Sequence, residues 1–245
     1  MVLLQTLAQS DGMTLSELAQ TEAESPATVY RVLTTLAQHQ MVEIDPHGQV
    51  WHVGPGAFRA GAAFLRRTNV VERARAPMQA LMRATEETAN LGIDQQGEVL
   101  FLTQVETQRA IRAFFPPGTR SPMHASGIGK ALLAWVPTAR IDALDNGGGL
   151  AQFTDATITT ISQLREDLEV TRKRGFALDD EERTLGMRCV AAPVFNAHGE
   201  PVAGLSVSGP VFRMPQQSLP EIGALVARYA AEVTEAIGGQ PPRND

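Results

Sequence analysis

LDDEERTLGMRCVAAPVFNAHGEPVAGLSVSGP, Leu178 to Pro210, begins with four carboxylates, Asp179 through Glu182, and continues as two apolar runs. The runs, Cys189 to Phe195 and Val202 to Val207, flank Asn196-Ala197-His198-Gly199, a turn composition, and so predict a β-hairpin. Side chains alternate across a strand, which puts Ser206 and Ser208 on one face and Leu205 and Val207 on the other. Cys189 opens the partner strand. One face of the hairpin can therefore offer two hydroxyls and a thiol to a small polar ligand. A core hairpin whose serines bond back to the main chain is the competing reading.

On either side of this hairpin the periodicity is mixed. Ile161 to Arg174 predicts a helix with Leu164, Leu168 and Thr171 inward and Gly175 as its stop. Ile128 to Trp135 and Thr138 to Leu144 also read as helices, and Asn146 to Gly149 as a flexible loop. Leu91-Gly92-Ile93, Val99 to Val105 and Ala110 to Phe115 read as strands. A last helix is expected from about Gln216 to Ile237, with a disordered tail after it. Strands, interspersed helices and a hairpin predict an α+β domain around one antiparallel sheet. Gly56 to Arg67 and Val70 to Thr88 are amphipathic helical stretches. The first is suited to joining domains, and Pro77 marks a start or kink in the second.

The first fifty residues read differently. Leu3, Leu4 and Leu7 give one apolar face before Asp11-Gly12. Thr14-Leu15-Ser16-Glu17 fits a capping box, with Leu15, Leu18 and Ala19 inward. Ser25 caps a third helix with Pro26 at its first position. There Val29, Val32, Leu33 and Leu36 form the apolar face, opposite Thr28, Tyr30, Arg31, Thr34, Thr35 and Gln38. Met41 to Ile44 and Val50 to Val53 then make a hairpin around Asp45-Pro46-His47-Gly48. Three short helices and a hairpin predict a winged helix-turn-helix whose third helix enters the major groove of double-stranded DNA. Ser25, Thr28, Tyr30, Arg31, Thr34, Thr35 and, at the wing tip, His47 are the candidate DNA contacts. Residues 1–57 hold a single basic residue, Arg31, against six acidic ones, whereas residues 58–83 hold six arginines and one glutamate. Phosphate neutralisation dominates most DNA affinities. Contacts from neutral donors and helix N-termini, the start of the arginine-rich linker and dimerisation are therefore expected to compensate.

Composition sets the limits. The 245 residues carry a net charge of −6 and are 43% hydrophobic, with charge interrupting every apolar run. No membrane span or signal peptide is expected. The lone cysteine, Cys189, excludes an intramolecular disulfide and a thiolate-rich zinc site and suits a cytoplasmic protein. Five scattered histidines lack ligand spacing, so neither metal nor cofactor is expected. Ser126-Gly127-Ile128-Gly129-Lys130 misses the phosphate-loop pattern at His124 and Ala131. What remains is a helix start whose N–H groups suit an anion, with Lys130 read as a solvated helix residue. Cys189, His124 and Asp179 can be written as a nucleophilic triad, but nothing in their spacing supports an enzyme. The competing class is a small-molecule sensor or enzyme using Cys189, with the N-terminal region as a protein-interaction module.

The whole chain, residues 1 to 238, resembles the IclR family of bacterial transcriptional regulators. The likeness rests on MTLSELAQ with SPATVYRVLTTLAQHQMVE, on HASGIGKALLAW, on RGFALDDEERTLGMRCVAAPV and on GEPVAGLSVSGP. It implies a winged helix-turn-helix over 1–54, a linker helix over 55–69, a GAF-like or profilin-like effector domain over 70–240, and a disordered tail over 241–245. It also implies homodimers, often paired as dimers of dimers, on an operator near a catabolic promoter, with repression favoured. Gly127 and Ile128 match positions whose amides hold an effector carboxylate. Asp179, Cys189, Ser206 and Ser208 match the polar pocket positions. Ala113, Phe115 and Ser121 are the specificity-lining candidates, and the two small ones imply a cavity roomier than a two-carbon acid needs. The pattern is departed from at the start: the chain opens inside the first helix, so either the true start lies upstream or that helix is short.

Overall fold

In the computed structural model, residues 2–45, 49–68, 70–145 and 149–242 are described, with 63–68 by their backbone. The chain divides into two compact units, Met1–Thr68 and Asn69–Asp245.

In the first unit, α1 (Val2–Ala8), α2 (Leu15–Thr21) and α3 (Pro26–Gln38) pack around Leu3, Leu7, Leu18, Val29 and Leu33. Local chemistry sets their ends. Thr14 and Glu17 form the reciprocal capping box, and Ser25 caps α3 through the Thr28 amide, with Pro26 at its first position. The wing strands β2 (Val42–Ile44) and β3 (Val50–Val53) form as expected. Met13–Thr14 adds a short third strand, β1, beside β3, giving the order β1-β3-β2. Two residues are too short a run for alternation to reveal. Helix α4 (Pro55–Thr68) follows. The turn residues Pro46, His47 and Gly48 lie outside the described residues.

The second unit is a six-stranded antiparallel sheet in the order β6-β5-β4-β9-β8-β7. Its strands are β4 (Thr88–Gln95), β5 (Glu98–Val105), β6 (Arg120–Pro122), β7 (Ala177–Asp180), β8 (Met187–Phe195) and β9 (Pro201–Pro210). One face packs on α5 (Val70–Thr85) and α9 (Leu219–Ala236) through Ala89, Leu91, Val190, Ala192, Leu205 and Val207. The other face lies against α6 (Gly127–Leu133), with α7 (Thr138–Asp142) and α8 (Ile161–Arg174) beyond it. Gly92 and Gly204 make that contact close: a Cβ on Gly204 would stand 2.7 Å from Ile128 Cγ2.

Several expectations are corrected. Ala110 to Phe115 is irregular, and the edge strand is β6 instead. Its apolar residues are held by a side chain, Gln104 Oε1 accepting the Phe115 amide at 3.0 Å, and by Phe115 stacking on Phe101 at 4.8 Å. The acidic run contributes a strand, β7, because Asp179 and Asp180 pair with Cys189 and Arg188. Val70 to Thr88 splits, the helix ending at Thr85 and β4 starting at Thr88, with Pro77 inside α5. The start of the expected tail is tied down: the Gly239 amide donates to Thr234 O at 2.7 Å and the Gln240 amide to Asn196 O at 3.1 Å. Residues 146–148 and 243–245 lie outside the described residues.

Candidate functional site

The register of the sheet assembles the polar residues. Asp179, Cys189, Ser208 and Thr88 pair across four successive strands, β7, β8, β9 and β4. The next row on the same face is Ala177, Ala191, Ser206 and Asn90. Every second residue points to one face, so this face carries a block of hydroxyl, thiol, amide and carboxyl groups in an otherwise apolar sheet. Helix α6 starts over it. Ser126 caps that helix, and the Gly127 amide and the Ser206 and Ser208 hydroxyls lie near the Cys189 sulfur, each pulling its pKa down. Gly127 is required there, since a Cβ would stand 2.7 Å from that sulfur.

A cavity of about 40 Å³ opens beside this block. Ser126 and Gly127 line it from the helix start, Asp179, Cys189 and Ser208 from the sheet, and Phe101, Phe115 and Ser121 from the far side. Arg183, Thr184, Met187 and Arg188 complete the wall. Ile128, Ser206 and Ala113 do not line it. Ile128 drives its side chain into the glycine gap of the sheet, Ser206 is fully buried by Asn90, and Ala113 is buried elsewhere in its loop. The small residues at 113 and 121 thus do not enlarge the space, because the Phe101–Phe115 stack occupies it. A volume of about 40 Å³ admits about three water-sized groups. A larger apolar groove of about 390 Å³ runs between β8 and α9, past Trp135, Pro193, Phe195 and Ala231. Its charged residues, Arg228, Glu232 and Glu235, are all exposed, and no buried polar block converges on it.

The electrostatics suit reversible binding better than covalent chemistry. Burial pushes the Cys189 thiol up to about 11, helped by the nearby Asp179 charge, so the sulfur stays protonated at neutral pH. His124 is turned to the Ala151 carbonyl at 2.9 Å and stacks on Phe153, away from any role as base. The Asp179 carboxyl is pushed up to about 6, burial outweighing the amides of Glu182 and Arg183 that donate to it at 2.8 and 3.4 Å. Lys130, read from sequence as solvated, is fully buried, with Nζ 2.5 Å from Glu182 Oε1 and 3.2 Å from Asp167 Oδ2. Seven residues are too few for a helix to show which face is buried, and the partners come from distant elements. Among the described residues, no His, Cys, Asp and Glu cluster could hold a metal ion.

In the first unit, the exposed side of α3 presents Thr28, Arg31, Val32 and Thr35 around a shallow groove. Val32, expected inward, is 37% exposed, because successive residues turn by 100° and it falls beyond the Val29–Leu33–Leu36 stripe. Tyr30 projects from the opposite flank. Thr34 and Thr35 donate their hydroxyl protons to the carbonyls of Tyr30 and Arg31 at 2.6 and 2.9 Å, leaving lone pairs and methyl groups to face outward. Ser25 is occupied with capping.

Residues 62–235 match the family described as "Bacterial transcriptional regulator IclR C-terminal", and residues 1–46 the "IclR helix-turn-helix domain". The chain belongs to the IclR family. It is 51% identical to the HTH-type transcriptional regulator BhcR of Paracoccus denitrificans over 243 residues, covering 99% of this chain and 86% of that protein. Identity to the transcriptional repressor IclR of Escherichia coli is 39% over 240 residues, covering 97% and 88% of the two chains. Among solved structures, the Thermotoga maritima IclR superposes with a TM-score of 0.80 at 27% identity over 96% of each chain. This IclR-family chain is therefore a regulator with a helix-turn-helix DNA-binding domain and a C-terminal IclR domain, and not an enzyme. Sequence reasoning missed Ser126, Arg183, Arg188 and Asn90 at the C-terminal site. Of these, Asn90 left a signal, a polar residue between Ala89 and Leu91 in an apolar strand.

Proposed function

We propose that this chain is a repressor of a catabolic operon, controlled by a small carboxylic or hydroxy acid that binds beside Asp179, Cys189 and Ser208. The functional division would be DNA binding by residues 1–54, linkage by 55–69 and effector binding by 70–240. The observation that carries the reading is the convergence of Ser126, Gly127, Asp179, Cys189 and Ser208 on one small cavity with Arg183 and Arg188 in its wall. Arg183 favours an anion there, whereas the Arg188 guanidinium is taken up by Asp180 Oδ1 at 2.6 Å and the Met214 carbonyl at 2.7 Å. A thiol and hydroxyls can turn to donate, and the Gly127 amide, which now meets the Cys189 sulfur, can meet a carboxylate oxygen instead. The volume favours acids of a few heavy atoms over aromatic ones. Ile128 contributes through its amide, whereas Ser206 acts by holding Cys189.

In this reading a homodimer, alone or within a dimer of dimers, places Thr28, Arg31, Thr35 and their neighbours on two operator half-sites in the cytoplasm. Acid binding then shifts the balance between arrangements of the DNA-binding domains. It can do so only by its differential affinity for those arrangements. The test is a thermal-shift screen of the full chain against small carboxylic and hydroxy acids, repeated on Ser208→Ala and Ser206→Ala/Ser208→Ala. An acid at about a hundred times its Kd adds about 2.7 kcal/mol, roughly 5–10 °C for a chain of this size. That shift should disappear in the serine variants, and the same acid should release operator DNA. Shifts indifferent to both serines would remove the site from this cavity.

A further inference from the structure

Lys130 lies one turn along α6 from the cavity, fully buried, and has no part in the acid contacts proposed above. An ammonium without water is costly unless paired, so what it pairs with is informative. Its nearest partner is Glu182 Oε1 at 2.5 Å, with Asp167 Oδ2 on α8 at 3.2 Å. Glu182 lies in the turn that follows β7, where Glu181 takes a positive φ of 62°. The amides of Glu182 and Arg183 in this turn hold Asp179 Oδ1, and Arg183 and Thr184 line the cavity. The outer side of the turn is bound by hydroxyls, Thr154 Oγ1 donating to Glu181 O at 2.7 Å and Thr157 Oγ1 to Glu182 O at 2.6 Å.

The other charges facing Glu182 are Asp167 and Arg174 from α8 and Asp179 from β7. Glu182 Oε2 has no hydrogen-bond donor among the described residues, so Lys130 holds this carboxylate. Remove that ammonium and Glu182 is left with two carboxylates nearby, which would drive it and its turn outward. We infer that Lys130 is a positioning residue of the acid site: through Glu182 it fixes turn 181–184, and that turn aims the Asp179 carboxyl into the cavity. The inference rests on the effector reading of the cavity, but its central contact can be tested without a ligand.

The experiment compares full-length protein with Glu182→Gln and with the paired variant Lys130→Met/Glu182→Gln, which removes both charges together. Amide hydrogen exchange at Glu182 and Arg183 is read first, then the thermal shift produced by glycolate as a small hydroxy acid. Variants that fold cooperatively should exchange these two amides about tenfold faster or more, with Ala192 and Leu205 in the sheet unchanged, and should lose most of any glycolate shift. Native protection at 182 and 183 in a folded variant would overturn the inference. If neither variant folds, Glu182→Asp decides it: the shorter side chain keeps the charge but draws the carboxylate back from Lys130 Nζ, so exchange at 182 and 183 should speed up, and native protection there would overturn the inference. Glycolate failing to shift any protein would count against the acid-site reading alone, because the exchange result still decides the positioning.

Discussion

Asp179 and Glu182 set the acid–base behaviour of the second unit. Burial is the largest cause of both shifts, from 3.8 up to about 6 for Asp179 and from 4.5 up to about 7 for Glu182, against the opposing pull of Lys130. An acid whose folded pKa lies above its unfolded one binds its proton more tightly when folded. The stability it contributes is therefore complete below about pH 4 and lost as pH rises through about 6 to 7. The melting temperature should accordingly fall between pH 5 and pH 8, and Asp179→Asn should flatten that fall; an unchanged slope in the variant would remove Asp179 from the balance. The same proton matters for binding. An anion beside ionised Asp179 meets repulsion, so acid affinity should be higher at pH 5.5 than at pH 8 in the native protein. The Asn variant should lose that dependence when titrated calorimetrically.

Helix α6 shows how an element of seven residues becomes fixed. Ser126 starts it, Ile128 fills the gap left by Gly92 and Gly204, and Gly129 passes so close to the Met123 main chain that a Cβ has no room. Backbone cannot yield as a side-chain tip can. Gly129→Ala should therefore cost about 2 kcal/mol or more in urea unfolding. A loss near zero would mean that the turn at Met123 moves freely, and the cavity wall with it. Helix α3 makes a contrasting case, since its exposed face does little for the fold. Arg31, the single basic residue of the first 57, carries the face together with Thr28 and Thr35.

At the scale of the whole molecule, charge distribution governs DNA binding. A chain of net charge −6 whose first 57 residues contain one arginine has few cations to exchange for condensed counterions. Each neutralised phosphate contributes about 0.9 to the slope of log affinity against log salt, so a dimer should show a slope no steeper than about −4. Arg31→Ala should weaken operator binding by about 1–3 kcal/mol if the guanidinium meets a base edge. Fluorescence anisotropy over a salt series measures both. A slope near −8 would mean that the arginines of residues 59–83 carry most of the contact. Among the described residues, no helix is long and apolar enough to cross a membrane.

What the sequence determined by itself was local. Caps at Thr14 and Ser25, the glycine stop at Gly175, the α8 stripe and the 189–207 hairpin all depend on neighbours within a few residues, and they form as their spacing predicts. Placing Ser206 and Ser208 on one face needed only the two-residue period of a strand. Tertiary structure decided whatever depends on partners far along the chain. Lys130 is buried because Asp167 and Glu182, 37 and 52 residues away in sequence, arrive beside it. Ala110 to Phe115 has strand-like composition, yet Arg120–Pro122 takes the place beside β5, since pairing requires hydrogen bonds as well as apolar side chains. Ser208 reaches the cavity and Ser206 does not, because Ser206 lies one row nearer Gly204, which Ile128 of α6 covers, while Asn90 of β4 contacts both hydroxyls. No periodicity along one strand can express which segment will cover it.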